Sequence, residues 1–340
     1  MDAAAGWCAR RAGACLLALL VAGAAAADAA GAQSNQLREL GTGPFTIPGI
    51  GNAELSGITW VGGTRYLAID DGVGRLFPLD VTIDPKRGAI AKVVADEYVA
   101  LDGVKDGEGI AWLRKTSTVL VTDESTDDIR EYDPRTGKLL RTVPPPSVFR
   151  GRLSKSTGFE SLTIAPDGEG VWIANEGPLH RDGPGPTALA GAWLRLQRLD
   201  ANLAPSGQWA YRSEPGIGFV GLVDLMVTPT GELLSLERAL TGGGFSARIF
   251  ELDLGRATDV SSMEKLRNRD DFWPVRKTKL WERNSGFQNF EGIALGPELA
   301  LGGRLVLLVS DGGGQRPPTM LALQLVHAPP APAAPPLPEH

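Results

Sequence analysis

Carboxylates recur at equivalent points of a repeated pattern in this chain of 340 residues. In five copies, a Gly-Ile-Thr-like signature is followed by a short apolar run that ends in an acid. The residues that begin the signatures are the first column: Ser56, Glu108, Glu160, Val223 and Glu291. The acids that end the apolar runs are the second column: Asp70, Asp123, Glu176, Glu237 and Asp311. Because a structural repeat brings distant residues to equivalent places, these acids are predicted to converge.

A ring of about eight carboxylates needs something that offsets its internal repulsion. Two carboxylates about 5–6 Å apart repel by roughly 3 kcal/mol at an effective dielectric constant near 20. Shared protons, hydrogen bonds from backbone N–H groups of a neighbouring repeat, or a hard cation would each offset that energy. Oxygen ligands without Cys or His favour Ca²⁺ over zinc. The candidate calcium ligands are Glu108, Asp123, Glu160, Glu176, Glu237, Glu291, Asp311 and Asp70.

The same acids have a structural interpretation, in which each one clips a repeat to its neighbour. The second column suits this role, because every copy of the repeat carries an acid at that position. The first column varies between copies, with three Glu, one Ser and one Val. The first column is therefore the stronger candidate for chemistry, and the predicted catalytic residues are Glu108, Glu160 and Glu291.

The elements that must position these acids are short β-strands. Runs of Val, Ile, Leu and Trp alternate with Gly, Pro and Asp turn signals, and no long stretch has a helical period. Each cassette holds four predicted strands, and four-stranded units repeated every fifty to sixty residues or so indicate an all-β propeller. The five cassettes predict five blades, with a degenerate sixth over 258–284 as the alternative. The stretch 36–47 is predicted to close the ring as the outer strand of the last blade.

Both columns are predicted to lie on one rim of the propeller channel. The first column opens the innermost strand of each blade, and the second column ends the neighbouring strand. Because these two strands run antiparallel, the start of one lies beside the end of the other. Further acids near both columns extend the predicted ring, and they are Glu54, Asp71, Glu124 and Asp224.

The two ends of the chain differ from the repeats. Residues 1–27 have the arginine pair, apolar run and Ala-rich cleavage region of a secretory signal peptide. The tail 328–340 is mostly Pro and Ala and is predicted to lack fixed structure. The propeller domain is therefore predicted over 36–327, in a periplasmic or secreted protein. Both cysteines lie within the predicted signal, so the mature chain would contain neither disulfides nor thiolate metal sites.

The composition narrows the class of partner. The net charge of −6 and the lack of a basic stripe argue against nucleic acid. No membrane attachment is expected after signal cleavage, and the expected form is a monomer that acts on a small molecule. The glycine runs 242–244 and 312–314 lack the lysine of a phosphate-binding P-loop.

The cassettes resemble a known family, the phytase-like proteins described as having esterase-like activity of phytase. The resemblance covers roughly Glu54 to Leu325. It is carried by motifs in a fixed order, which are Asp106-Gly-Glu-Gly-Ile-Ala-Trp112, Thr122-Asp-Glu-Ser125, Gly158-Phe-Glu-Ser-Leu-Thr163, Asn175-Glu-Gly-Pro-Leu179, Leu236-Glu-Arg238 and Asn289-Phe-Glu-Gly-Ile-Ala294. The resemblance implies a secreted bacterial β-propeller and a calcium-dependent phosphoester hydrolase. The R-H-G-x-R-x-P signature of histidine acid phytases is missing, which excludes their phosphohistidine chemistry.

Two hypotheses about function follow from these residues. In the first, the protein is a hydrolase of phosphoesters or esters, whose Ca²⁺ would bind the substrate and activate a water molecule. Arg238 is then the predicted substrate-binding cation, and His180 and Arg181 are predicted to overhang the same rim. In the second, calcium stabilises a non-catalytic binding or scaffold propeller, because this fold supports many functions.

Overall fold

The computed structural model describes residues 35–150, 153, 157–165, 168 and 170–327. The predicted signal peptide and the Pro/Ala-rich tail lie outside the described residues. Within the described part of the chain, no helix has the length and apolar character needed to cross a membrane.

The described residues form five antiparallel sheets, which are the blades of the propeller. The chain begins with β1 (Gln36–Thr46). Blade 1 contains β2 (Leu55–Gly62), β3 (Arg65–Asp70), β4 (Arg75–Ile83) and β5 (Ile90–Ala95), with the short β6 (Val99–Ala100) also paired to β4. Blade 2 contains β7 (Gly107–Leu113), β8 (Thr118–Asp123), β9 (Asp128–Tyr132) and β10 (Leu139–Val143). Blade 3 contains β11 (Phe159–Ile164), β12 (Val171–Asn175), β13 (Trp193–Leu199) and β14 (Pro205–Arg212). Blade 4 contains β15 (Val220–Val227), β16 (Leu233–Thr241), β17 (Gly244–Asp253) and β18 (Arg276–Gly286). Blade 5 contains β19 (Asn289–Glu298), β20 (Arg304–Asp311) and β21 (Thr319–Val326).

Strand β1 closes the ring, as the sequence predicts. It pairs antiparallel with β21, from Gln36 opposite Val326 to Thr46 opposite Thr319, and becomes the fourth strand of blade 5. The inner strands contact one another in the cyclic order β2, β7, β11, β15, β19 and back to β2. This arrangement confirms a propeller of five four-stranded blades, joined at one blade by the two ends of the domain.

The predicted alternative of a sixth blade is wrong. Strand β18 is the outer strand of blade 4, and the connection 254–275 that leads to it forms no blade of its own. This connection is anchored on blade 3 by the fully buried Arg195. The Arg195 guanidinium donates to both carboxylate oxygens of Asp182, at 2.6 and 2.9 Å, and to the carbonyl of Met263 at 3.0 Å.

The apolar runs of the second strands are explained by burial on both faces of each blade. In β3, Tyr66 and Ala68 belong to the core cluster shared with blade 5, while Leu67 and Ile69 belong to the cluster shared with blade 2. Because successive side chains of a strand point to opposite faces, a strand between two neighbouring blades needs apolar residues throughout. Five such clusters, one at each blade interface, hold the ring rigid around the channel.

Candidate metal site at the channel mouth

A β-bulge at the start of each inner strand sets the first column apart. In blade 1, Leu55 pairs with Asp70 and Gly57 pairs with Ile69, so Ser56 is the extra residue. The same irregularity falls at Glu160, Val223 and Glu291 in blades 3, 4 and 5, and in blade 2 it spans Glu108 and Gly109. A bulge re-aims the side chain of the extra residue relative to its strand. The repeated signature therefore encodes a local geometry that frees this position from regular pairing.

In blades 1, 2 and 5 a glycine follows the first-column residue and allows neighbouring inner strands to approach closely. A Cβ atom on Gly109 would lie 2.7 Å from the carbonyl oxygen of Glu160 and from the amide nitrogen of Leu162. Gly57 packs in the same way against the carbonyl of Glu108. The bulge residues of adjacent blades are therefore held close together by backbone packing.

Asp224 occupies the equivalent position in blade 4 and clips three inner strands together. Its buried carboxylate accepts hydrogen bonds from the backbone N–H groups of Leu225 and Ile293, both at 2.8 Å. Burial raises the pKa of Asp224, while the backbone donors, including Leu162, lower it. Asp224 is therefore a structural acid of the channel wall, not a free ligand.

Three second-column acids are bound within their own blades. Each is almost fully buried and accepts from a basic side chain at 2.5–2.7 Å: Asp70 from Arg75, Asp123 from Arg130 and Glu237 from Lys277. Glu237 also accepts from the Tyr211 hydroxyl at 2.6 Å. These three predicted ligands therefore bind basic residues on the outer strands and cross-link the strands of their own blade.

Glu176, the second-column acid of blade 3, meets Arg238 of blade 4 and Glu291 of blade 5. Arg238 donates from Nε and Nη2 to Oε1 of Glu176, at 3.1 and 2.9 Å, and from Nη1 to Oε1 of Glu291. The Arg238 guanidinium also lies 5.3 Å from the ring centroid of Phe219. Burial lowers the pKa of Arg238, but the surrounding carboxylates outweigh this effect and raise it. Arg238, the predicted substrate-binding residue, therefore forms ion pairs with two of the acids.

Glu108 and Glu160 form a buried pair across the interface between blades 2 and 3. Their side chains are hydrogen-bonded to each other. Burial raises the pKa of both groups well above the usual value, and repulsion adds to it, chiefly from Glu291 at Glu108 and from Glu108 at Glu160. Because two such close carboxylates titrate as one system, the pair keeps a proton to a higher pH than an isolated glutamate when no cation is bound.

Two further carboxylates of blade 2, Asp106 and Glu124, converge on Glu108 of this pair. Oxygen atoms of Asp106, Glu108 and Glu124 all lie within 4.8 Å of one another. Glu124 is fixed by the Gly158 amide, which donates to its Oε1 at 2.5 Å. Burial raises the pKa of Glu124 to about 7, against the lowering effect of that hydrogen bond. Asp106 was not among the predicted ligands, although its place two residues before Glu108 would have indicated it.

A second set of acidic residues lies on the side of the mouth formed by blades 5 and 1. Burial, followed by repulsion from Glu54, Glu291 and Asp311, raises the pKa of Asp71 to about 8. Burial also raises the pKa of Glu291 to about 7, although Arg238 opposes the shift. Asp311 accepts from the amide of Gly313 and remains partly exposed. Acids from four blades therefore surround one mouth of the channel.

Two residues predicted to contact substrate do not join this group. His180 is exposed to solvent. The Arg181 guanidinium donates to Oε1 of Glu264 at 2.5 Å, on the connection that leads to β18. Neither side chain forms a hydrogen bond or an ion pair with the acids of the mouth among the described residues.

The donor set fits a hard divalent cation. All ligand candidates are carboxylate oxygens, which suit Ca²⁺. Two buried acceptors, Oε2 of Glu176 and Oδ1 of Asn289, have no hydrogen-bond partner among the described residues. Since buried polar atoms are normally satisfied, these two acceptors are suited to serve as further ligand atoms for such a cation.

Fold and site together define a five-bladed β-propeller with an acidic channel mouth. The chain belongs to the phytase-like family, described as esterase-like activity of phytase, whose family model matches residues 50–312. The predicted family is thereby confirmed. No curated protein matches the chain significantly.

Three solved structures show distant similarity. The PQQ-bound aldose sugar dehydrogenase of Streptomyces coelicolor has 12% identity and a TM-score of 0.44, with 86% of this chain and 99% of that chain covered. The Malassezia sympodialis allergen Mala s 1 has 10% identity and a TM-score of 0.41, with 82% and 94% covered. Kuenenia stuttgartiensis hydrazine synthase has 12% identity and a TM-score of 0.37, with 78% of this chain covered but only 59% of that chain.

Proposed function

We propose that this protein is a metal-dependent hydrolase of phosphoester or ester substrates, with its active site at the acidic channel mouth. The observation that carries the proposal is the convergence of Asp106, Glu108 and Glu124, whose carboxylate oxygens lie within 4.8 Å of one another. The family's description supports hydrolysis as the reaction. Calcium is the preferred cation, because the site offers only oxygen donors.

The acids of such a site would have different roles. Asp106, Glu108 and Glu124 would hold the cation, which supplies Lewis-acid chemistry to the reacting group when bound. Glu160 shares a proton with Glu108 and is the candidate proton donor or acceptor. The pKa of Glu291, about 7, suits proton transfer near neutral pH. Arg238 orients Glu176 and Glu291 through its hydrogen bonds.

A second candidate function is a non-catalytic propeller that binds calcium for stability. One observation favours it: Arg238, which lies among the acids, is already paired with Glu176 and Glu291. A substrate phosphate would have to compete with both carboxylates for this cation. The choice between the two functions therefore depends on whether any substrate is turned over.

Hydrolysis assays of the purified full chain test the proposal. We expect turnover of p-nitrophenyl phosphate, p-nitrophenyl acetate or phytate in Ca²⁺, and its loss in EDTA. Glu160→Gln should abolish turnover without loss of folded protein. Glu282→Gln is the matched control, because Glu282 pairs with Arg248 on the exposed outer part of blade 4. Absence of activity on all three substrates, with and without Ca²⁺, would refute the hydrolase and leave the calcium-stabilised propeller.

A further inference from the structure

The end of the channel opposite the acidic mouth contains a separate cavity. It has a volume of about 410 Å³ and is lined by residues from the inner strands of all five blades. The acids stand at the starts of these strands, whereas the cavity is formed farther along them, toward their ends. Small-molecule pockets typically measure roughly 300–1,000 Å³. The cavity therefore has the size of a ligand site and lies outside the acidic centre.

Unused hydrogen-bond donors lie on three consecutive blades of this cavity. Thr59 of blade 1 accepts a hydrogen bond from the backbone N–H of Trp112 at 3.1 Å, which leaves its own hydroxyl proton free to donate. Arg114 of blade 2 is exposed and, like the Thr163 hydroxyl of blade 3, has no hydrogen-bond or ion-pair partner among the described residues. A guanidinium and two hydroxyls thus face the same space.

The opposite side of the cavity, formed by blades 4 and 5, is mainly apolar. Met226 and Val227 contribute from blade 4, and Ile293 and Leu295 contribute from blade 5. The hydroxyl of Thr228 on this side is already used by the carboxylate of Glu232. Among the described residues that line the cavity, Arg114 is the charged one. The two sides together form a cationic, donor-rich half and an apolar half.

We propose that this cavity binds a small amphipathic carboxylate, such as a medium-chain fatty acid. The head group would pair with the Arg114 guanidinium, whose planar fork matches a carboxylate, and would accept from the hydroxyls of Thr59 and Thr163. The apolar part of the ligand would pack against Val227 and Leu295, away from water. The site requires no metal, because none of its ligand contacts involves the acidic mouth.

Calorimetric titration of the full chain in EDTA tests this site with two probes of equal chain length. Octanoate should bind and 1-octanol should bind at least tenfold more weakly, because the alcohol cannot form the charge-assisted hydrogen bonds. Arg114→Gln should remove most of that preference, and Thr163→Val should weaken octanoate binding by a smaller factor. Arg87→Gln is the matched control, since Arg87 is exposed and does not line the cavity.

Three results would overturn the proposal. The first is no octanoate binding to a chain that is folded by circular dichroism. The second is octanoate binding that Arg114→Gln leaves unchanged. The third is binding that appears only after removal of residues 328–340, which would make the tail of this chain the occupant of the cavity.

Discussion

Two buried glutamates of the repeat, one from each column, have opposite surroundings in this propeller. Glu237 is surrounded by donors, with the Tyr211 hydroxyl and the Lys277 ammonium at 2.6 and 2.7 Å. Glu160 is surrounded mainly by acids, and its hydrogen-bonded neighbour is Glu108. Both side chains are buried, so solvent does not decide the difference. The partners of each carboxylate determine whether its negative charge stabilises the fold or requires a cation.

Replacing these two glutamates by glutamine should change stability in opposite directions. In EDTA at pH 8, Glu160→Gln should raise the free energy of unfolding, because the amide removes a buried charge that its neighbour repels. Glu237→Gln should lower it by about 2 kcal/mol, because hydrogen bonds to a charged group are lost. Urea denaturation of both variants and of the unsubstituted protein gives the sign of each change in the free energy of unfolding. A loss of stability in Glu160→Gln equal to that in Glu237→Gln would mean that Glu160 is also a clip.

At the scale of elements, the bulge and the glycine after it bring the acids of neighbouring blades together. Strand β7 passes so close to β11 that only glycine fits at position 109. The distance between Glu108 and Glu160 therefore depends on backbone packing, which a single methyl group would disturb.

Gly109→Ala should destabilise the protein by about 2–3 kcal/mol, because the new methyl group overlaps backbone atoms that cannot move independently. It should also weaken calcium binding by separating Glu108 from Glu160. Gly242→Ala is the control: nothing lies within 4 Å of its Cβ position, and its effect should stay within about 0.5 kcal/mol. Thermal and urea unfolding of both variants provide the comparison. Equal effects in the two variants would show that the approach of β7 to β11 is not tight.

The sequence predicts the elements well because its signals are local. Apolar runs, turn residues and the repeat itself indicate five blades, ring closure by 36–47, and a shared rim for both columns. The local pattern does not indicate in which direction each carboxylate points. Arg75 and Arg130 stand at the third strands, near the acids that they bind, and could have been considered as partners.

Other contacts of the site join strands or blades that are distant in sequence, and they leave no signal in the repeat. Lys277 reaches Glu237 from the outer strand of blade 4, after a long connection. Arg238 joins Glu176 of blade 3 to Glu291 of blade 5, which requires the closed ring. The sequence therefore predicts which acids gather at the mouth, but not which of them are already paired.

At the scale of the whole molecule, the two mouths of the channel differ in charge. Acids from four blades crowd one mouth, whereas the described lining of the other contains Arg114 and no carboxylate. Burial and crowding together raise the pKa values of several carboxyl groups, to about 8 at Asp71 and to about 7 at Glu124 and Glu291. Burial is the largest cause in each case, and neighbouring acids add to it.

The metal-free protein should therefore lose stability as the pH rises. Unfolded carboxyl groups release their protons near pH 4, while these folded groups retain theirs until about pH 7 to 8. Between these values the unfolded chain binds fewer protons than the folded one, so the free energy of unfolding falls with increasing pH. Calcium should flatten this dependence by replacing the protons. Urea midpoints at pH 5 and pH 8, in EDTA and in Ca²⁺, measure the effect; a midpoint in EDTA that rises toward pH 8 would contradict it.

A calorimetric titration of the full chain with Ca²⁺ at pH 7.5 tests most directly whether the acidic channel mouth binds a metal. We expect saturable binding at the channel mouth, with proton release, because the cation displaces protons from Glu108, Glu124 and Glu160. Glu108→Gln and Glu124→Gln should each weaken binding at least tenfold, since each removes a charged ligand. Glu282→Gln should leave it unchanged. Absence of saturable binding, or equal affinity in all three variants, would show that the acids of the mouth are not a metal site.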